Sequence, residues 1–428
     1  MQKKTLFLVI ATFTIAQFVI LMVFGYTPHP DSIDYLRYAK DAISHGEFYP
    51  TKESLYTLPF LWNVGAINAV ALSLKIFGSE VPLMLIYSLL KGFSLLLVYL
   101  LAKSWFNDKI ACIATILYLL YPANYGEGTS MLSEVPFTFF VLAGLLACQR
   151  RQFILGGILM GCADYMRPVA IIFIAAYILS NIKNYRDYIK ICISYVIFIS
   201  CIGFYNYTTR GEFFYKAKTG WMCMAQYHWR EGEDQSGLLA AEKVTENDNL
   251  TYTEKDKVWR YMFFDWLKDH KADYFKQIPM KIIRTYVSDN VNLCAFLPES
   301  EKCKDYMYES LSMSSLKDDF PHYTSVQWLT IYNLLFYYTM MILFLCSIKK
   351  IRELSLHWGI FIIGTAFIAL LGHGEARFHQ PFMPFIIIAE AYMVDFLLRK
   401  YVRREVTMTT TNQNLTSTEG LKRVNDLR

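Results

Sequence analysis

Apolar runs of about 20 residues recur along the chain and limit its fold more than any other feature. The first, from Leu6 to Phe24, contains no charged residue. Such runs match the roughly 30 Å hydrocarbon core of a bilayer, which helices cross because they satisfy their own backbone hydrogen bonds. We therefore predict an α-helical polytopic membrane protein of about ten spans, near 5–26, 81–102, 110–124, 131–148, 153–166, 168–182, 188–208, 326–347, 356–372 and 380–398.

The turns between these runs follow the positive-inside rule if Lys3 and Lys4 are cytoplasmic. Every predicted inner turn is then basic, through Lys103, Lys109, Arg150, Arg151, Lys183, Arg186, Lys190, Lys349, Lys350, Arg352, Arg399, Lys400, Arg403 and Arg404. The rule holds only if 57–77 stays on the outer side as an amphipathic or partly inserted helix. An ordinary second span is the alternative for that run. The compact size suits a bacterial inner membrane.

This topology divides the chain into an N-terminal membrane module (1–208) with an outer first loop (27–80), an extracytoplasmic segment (209–325), C-terminal spans (326–404) and a flexible cytoplasmic tail (405–428). The extracytoplasmic segment has aromatic residues at helical spacing between Thr253 and Val287, so we expect it to be mainly helical. Cys294 and Cys303 could form a disulfide there.

Two carboxylates stand at the start of the first outer loop, in the stretch from His29 to Lys40. Asp31 and Asp34, three residues apart, share one face of a helix. Pro30 suits the first turn of that helix, where the helix dipole favours acidic side chains. The stretch therefore predicts a helix at the membrane surface that presents carboxylates to a lipid headgroup. A capped connector whose acids face water is the alternative.

Further ionisable residues fall at the outer ends of later spans. They are Glu134, then Arg167 at a turn between two short apolar runs, and His373, Glu375 and Arg377 in a glycine-flanked loop. Ionisable groups at membrane depth cost roughly 2.5–3.5 kcal/mol each on insertion scales, so they are candidates for function.

Some of these charged residues could instead serve structure alone. Glu134 could cap its helix, and Arg167 could hold Asp164 or a nearby carbonyl. Lys91 lies in the middle of a span, where we expect it to pair with Glu390 in the last span.

In order and spacing, these motifs resemble GT-C glycosyltransferases of the protein O-mannosyltransferase and lipid A aminoarabinose transferase type, which take sugars from polyprenyl-phosphate carriers. The resemblance rests on 31–39, Leu132-Ser133-Glu134, Tyr165-Met166-Arg167-Pro168, 206–213 and 375–384. The chain departs from the pattern in the first loop, where many relatives have a basic residue beside a Pro-Pro pair. Here that region reads Tyr56-Thr57-Leu58-Pro59-Phe60, with Lys52 earlier.

The resemblance implies an inverting transfer of a sugar to an extracytoplasmic lipid, glycan or protein. Such a transfer needs a general base, for which Asp31 is the first candidate and Asp34 and Glu134 are further catalytic candidates. The leaving phosphate needs cations, and Arg377, Arg167, Lys52 and His373 are the candidates. Glu375 and Tyr35 complete the candidate site. Relatives differ in metal dependence, so a divalent ion held by the acids and His373 stays open.

Other functions give different expectations. A transporter or flippase for lipid-linked sugars would place ionisable groups near the bilayer midplane and show repeat symmetry. A polysaccharide ligase would use a diphosphate-linked donor, and an assembly protein would have no use for the outer acids. The net charge of +5 is explained by the inner turns and predicts no nucleic-acid partner.

Overall fold

The structure is a computed structural model of the chain. It describes residues 2–46, 63–211, 213–216, 219–230, 243–244, 246–247, 249–250, 252–302, 311–372 and 374–400. All regular secondary structure within these ranges is helical.

The first half contains nine helices among the described residues: α1 (Lys3–Phe24), α2 (Pro30–Ser44), α3 (Val64–Phe77), α4 (Val81–Trp105), α5 (Asp108–Leu120), α6 (Glu134–Gln149), α7 (Phe153–Met166), α8 (Ile171–Ser180) and α9 (Tyr185–Arg210). The helix predicted after the first span is α2. Its N-terminus is capped by His29, whose Nδ1 accepts from the Asp31 N–H at 3.4 Å, while Ser32 Oγ accepts from the His29 N–H at 3.0 Å.

The second half continues with α10 (Thr219–Arg230), α11 (Tyr252–Asp269), α12 (Lys271–Tyr286), α13 (Ser325–Cys346), α14 (Ser355–Leu371) and α15 (383–400). Short helical turns occupy Pro122–Asn124, Glu127–Thr129, Val291–Phe296 and Ala376–Phe382. The segment 209–325 is thus mainly helical in its described parts, as its aromatic spacing predicts. Cys303, the proposed partner of Cys294, lies outside the described residues.

Within the described residues, five helices are long and apolar enough to cross a membrane alone: Lys3–Phe24, Val81–Trp105, Tyr185–Thr209, Ser325–Lys350 and Ala376–Lys400. Pro122–Thr129 and Glu134–Gln149, bent by 115°, would make a sixth if they form one broken span. The helices α3, α7, α8 and α14 are apolar but shorter. The chain is a multi-pass membrane protein, in which five or six of the ten predicted spans reach full length.

Helix α15 runs through the centre of the bundle. Every residue from His379 to Ala391 is buried, as expected of a helix surrounded by other helices. Phe385 packs on Phe173 of α8 with 5.5 Å between ring centroids. At one end of the bundle, Asp395 binds both Lys109 (2.8 Å) and Arg399 (2.7 Å), so two of the predicted inner turns lie together.

Helix α3 packs at the opposite end of the bundle. Its residues Val64, Ile67 and Val70 share a buried cluster with Tyr35 of α2 and Met84, near the start of α4. Its 14 residues extend about 21 Å, less than the hydrocarbon thickness. This packing supports the prediction that 57–77 makes no full crossing, although 57–62 lie outside the described residues.

The prediction that Lys91 pairs with Glu390 is wrong. Lys91 Nζ instead contacts Glu127 Oε2 at 2.5 Å and Asn124 Oδ1 at 3.3 Å. The short turns after α5 fold back over α4, as the close approach of Gly128 to Ser88 shows, and bring Glu127 to Lys91. The Glu390 carboxyl is fully buried and has no hydrogen-bond partner among the described residues.

Replacing Lys91 with methionine is expected to lower the free energy of unfolding by about 3–5 kcal/mol, because Glu127 is then left as an unpaired buried charge. Thermal unfolding in detergent measures the change. The control is Lys103→Met, which removes an exposed pair with Asp108 (side chains 48% and 55% exposed) and should cost less than about 1 kcal/mol. Equal shifts in the two variants would contradict the prediction.

Candidate functional site

Arg377 connects acids from distant parts of the chain. Its Nη1 donates to Asp31 Oδ2 at 2.7 Å and lies 3.9 Å from Glu134 Oε1. Its Nε forms an ion pair with Glu375 Oε1 at 3.0 Å. The start of α2, the start of α6 and the loop before α15 therefore meet at one cluster.

Arg167 joins this cluster through Glu134. Its Nη1 donates to Glu134 Oε1 in a short contact, and Glu134 is the first residue of α6, where the helix dipole favours an acid. The guanidinium groups of Arg167 and Arg377 lie 5.1 and 5.7 Å from the centroid of the Phe378 ring. The aromatic ring thus holds both cations near one carboxylate.

The alternative role for Arg167, holding Asp164, is not what the structure shows. Asp164 Oδ1 accepts from the Ala170 N–H and Oδ2 from the Tyr195 hydroxyl, both at 3.0 Å. These bonds stabilise the turn into α8, and Arg167 binds Glu134 instead.

The cluster is more open on one side than on the other. The side chains of Glu375 and Asp31 are 33% and 15% exposed, whereas those of Arg377 and Glu134 are 9% and 1% exposed. A ligand would therefore approach at Asp31 and Glu375 and find Glu134 at the floor.

A buried polar chain supports that floor. Ser133 Oγ donates to Glu134 Oε2 at 3.3 Å, and Asn63 Nδ2 donates to Ser133 Oγ at 3.4 Å and to the Tyr35 hydroxyl at 3.2 Å. Nearby, Met131 is fully buried with a φ of 52°, a left-handed conformation uncommon outside glycine. This turn sets the direction in which α6 begins.

The remaining predicted site residues are less central or not described. Asp34 forms an ion pair with Arg37 at 2.7 Å. Partial burial raises the pKa of the Asp34 carboxyl, although the charge of Arg37 acts in the opposite direction. Burial, together with the charge of Arg377, lowers the pKa of His29 to about 4, so this imidazole is neutral at pH 7. Lys52 and His373 lie outside the described residues.

The acids of the cluster pair with arginines. No group of three His, Cys, Asp or Glu side chains among the described residues is placed to share a metal ion. Asp31 and Glu134 instead face the arginines, which already balance their charge.

A second polar cluster lies beside the first and was missed in the sequence. The fully buried Asp289 carboxylate accepts from Tyr121 in a short contact and from Gln380 Nε2 at 3.2 Å, with His379 Nε2 at 3.6 Å. His379 Nδ1 donates to the Thr285 carbonyl at 2.6 Å. This cluster ties the end of α12 to the turn that carries Arg377. The one residue of this cluster that the sequence singles out is His379, the second histidine of the 373–379 loop.

Replacing Gly374 with alanine is expected to lower both stability and activity. Gly374 has a φ of +72°, and an added Cβ would lie 2.5 Å from the Lys281 carbonyl oxygen, displacing the loop that carries Arg377. Gly46→Ala is the matched control, since Gly46 has a φ of +73° but no described atom within 4 Å of an added Cβ. The positive φ lowers stability by about 1–2 kcal/mol in both variants. Any further loss of stability in Gly374→Ala, measured by thermal unfolding, therefore reports the overlap of the added Cβ with the Lys281 carbonyl. Equal losses would contradict it.

Comparisons with known proteins were made by sequence and by structure. A sequence family described as "Predicted membrane protein (DUF2079)" matches residues 66–212, which is less than half of the chain. No curated protein matches the sequence significantly.

Several solved structures are similar. The archaeal oligosaccharyltransferase AglB from Archaeoglobus fulgidus, in complex with an inhibitory peptide and a dolichol-phosphate, matches with a TM-score of 0.51 and 12% identity over 94% of this chain and 52% of that chain. The apo form of the Archaeoglobus fulgidus oligosaccharyltransferase matches with a TM-score of 0.50 and 12% identity over 95% and 52%. ArnT from Cupriavidus metallidurans, bound to undecaprenyl phosphate, matches more weakly, with a TM-score of 0.41 and 12% identity over 92% and 78%.

This chain spans about half the length of the oligosaccharyltransferase that it resembles. At 12% identity the similarity gives the fold alone. The chain has the GT-C fold, with its acids and arginines gathered at one end of the bundle.

Proposed function

We propose that this chain is an integral-membrane glycosyltransferase that moves a sugar from a polyprenyl-phosphate carrier to an extracytoplasmic acceptor with inversion. The observation that carries the proposal is the meeting of Asp31, Glu134, Arg167 and Arg377 at one end of a GT-C bundle. The dolichol-phosphate in the AglB complex supports a lipid phosphate as the carrier.

Asp31 acts as the general base in this proposal. Its carboxylate takes the proton of the acceptor hydroxyl while the acceptor oxygen forms a bond to the anomeric carbon of the sugar. The bond from that carbon to the phosphate oxygen breaks, and its electron pair leaves with the lipid phosphate. Attack from the face opposite the phosphate inverts the anomeric centre.

The arginines stabilise the leaving phosphate. A guanidinium binds a phosphate through two parallel N–H donors, and in a buried site such charge stabilisation is a large part of catalysis. Arg377 contacts Asp31 at 2.7 Å, so its movement towards a bound phosphate also frees that carboxylate for the acceptor. The proposed reaction therefore relies on arginine cations for the phosphate charge, with Lys52 and His373 as further candidates.

The basic turns support a cytoplasmic N-terminus and a site on the outer face, which in a bacterial inner membrane is the periplasmic face. The acceptor there is a lipid, a glycan or a protein, and the donor reaches the site from the surrounding bilayer.

The test is transfer of labelled sugar from a panel of polyprenyl-phosphate donors by membranes that contain the protein. Transfer that requires the protein supports the proposal. Transfer from diphosphate-linked donors alone would favour a ligase, and movement of the lipid-linked sugar across the bilayer without transfer would favour a flippase. Either result would overturn the proposal.

A further inference from the structure

One buried hydroxyl beside the candidate site has no evident structural use. Tyr87, in α4, is 2% exposed, and its hydroxyl has no hydrogen-bond partner among the residues that the structure describes. The side chain shares a buried cluster with Tyr35, Met131 and Val135. Val135 directly follows Glu134 at the start of α6, so this cluster adjoins the acid, whose charge also acts on the Tyr87 hydroxyl. Tyr87 therefore flanks the floor of the site.

Such a group is costly unless a ligand uses it. A buried hydroxyl without a hydrogen-bond partner lowers the stability of the fold by roughly 1–3 kcal/mol, whereas phenylalanine would fill nearly the same volume without that cost. Buried hydroxyls normally have a hydrogen-bond partner. Tyr99, three turns along the same helix, has one, because its hydroxyl donates to Asp108 Oδ1 at 2.8 Å. A buried phenol without a partner in the described part of the chain thus points to a bound group that accepts its hydrogen bond.

The surroundings identify the chemistry of that group. Glu134 Oε1 is occupied by Arg167, but Oε2 accepts only from Ser133, at 3.3 Å, among the described residues. A carboxylate oxygen has two lone pairs, so Oε2 can accept a second bond. A donor at Tyr87 and an acceptor at Glu134 together suit a hydroxyl group, which both accepts and donates. A phosphate has only acceptors, and Glu134 would repel it.

We propose that Tyr87 donates a hydrogen bond to a hydroxyl oxygen of the transferred sugar, and that this hydroxyl in turn donates to Glu134 Oε2. The proposal rests on the proposed function and assigns the floor of the site to the sugar and the more open side, with Arg377, to the phosphate. Tyr87 is then a residue that determines which sugar is transferred.

The experiment compares Tyr87→Phe with Tyr99→Phe, the same substitution on the same helix but far from the cluster. Rates are measured with the preferred polyprenyl-phosphate sugar and with donors that each lack one sugar hydroxyl. Tyr87→Phe should lower kcat/KM about 3- to 10-fold for the preferred donor. It should also lose discrimination against one deoxy donor, with a thermal midpoint no lower than that of the wild type. Tyr99→Phe should keep kcat/KM and discrimination.

Three other results would overturn either the role of Tyr87 or the proposed function. An unchanged kcat/KM in Tyr87→Phe would overturn the role of Tyr87 while leaving the proposed function intact. A lower thermal midpoint with equal losses for all donors would make the hydroxyl structural and also overturn it. Absence of transfer by the wild type from every donor would overturn the proposed function itself.

Discussion

Replacing Asp31 with asparagine is expected to lower sugar transfer by at least about 100-fold while the protein stays folded. An asparagine amide cannot accept the acceptor's proton, and general-base catalysis contributes typically 10²–10⁴-fold. The fold should survive, because the amide oxygen has the shape of the carboxylate and can still accept from Arg377, which now donates to Asp31 at 2.7 Å. Initial rates in membranes, with thermal unfolding on the same preparation, measure both quantities.

The matched control is Asp265→Asn, which removes a carboxylate from an exposed pair with Lys268 (68% and 54% exposed) on α11. Its rate should equal that of the wild type. Asp34→Asn forms a third arm, because Asp34 is the other carboxylate of α2 but pairs with Arg37. Full activity in Asp31→Asn with loss in Asp34→Asn would transfer the base role to Asp34. Full activity in both would move it to Glu134.

The parts of the fold that were predictable have local signals in the sequence. Apolar length marks the long spans, and Pro30 after His29 marks the start of α2. Each candidate acid or arginine also lies at the end of an apolar run, which is why Glu134 and Arg377 could be placed on one side before any contact was known. Their mutual pairing had no local signal, since Asp31 and Arg377 are 346 residues apart.

The contacts that the sequence does not predict correctly are those between buried polar groups that tertiary packing brings together. The apolar runs around Lys91 and Glu390 predict that these two residues pair, but two short turns after α5 carry Glu127 to Lys91 instead. Asp289 and Tyr121 are 168 residues apart, and neither lies in a motif. Periodicity reports which face of a helix is buried, not which element covers it. Partners of buried polar groups are therefore the least predictable part of this chain.

Replacing Asp289 with alanine is expected to lower the free energy of unfolding by about 3–5 kcal/mol. The carboxylate is buried, and removing it leaves Tyr121, Gln380 and His379 without the acid that now faces them. Burial opposes ionisation of Asp289, but the charge of His379 and the hydrogen bonds outweigh it and lower the pKa of the carboxyl. Because the folded-state pKa lies below the ordinary value of about 3.9, this stabilisation is present at neutral pH and is lost only as pH falls below that value.

Asp289→Asn separates charge from shape, because the amide retains one acceptor oxygen. It should lose less stability than Asp289→Ala at pH 7, and its difference from the wild type should shrink in acid as the native carboxyl becomes protonated. The control is Asp273→Asn, which removes an exposed pair with Lys276 (76% and 54% exposed) on α12 and should shift the thermal midpoint little. A midpoint for Asp289→Ala as high as that of this control would refute the role of the buried cluster.

Asp289→Ala should also affect the candidate site, because the turn Ala376–Phe382 carries Arg377, His379 and Gln380 together. His379 and Gln380 are held by Thr285 and Asp289, so releasing them lets Arg377 move relative to Asp31. Under conditions where Asp289→Ala remains folded, sugar transfer should therefore fall as well, since a misplaced arginine no longer meets the leaving phosphate. Full transfer by a destabilised Asp289→Ala would show that the 2.7 Å contact of Arg377 with Asp31 suffices to place the guanidinium.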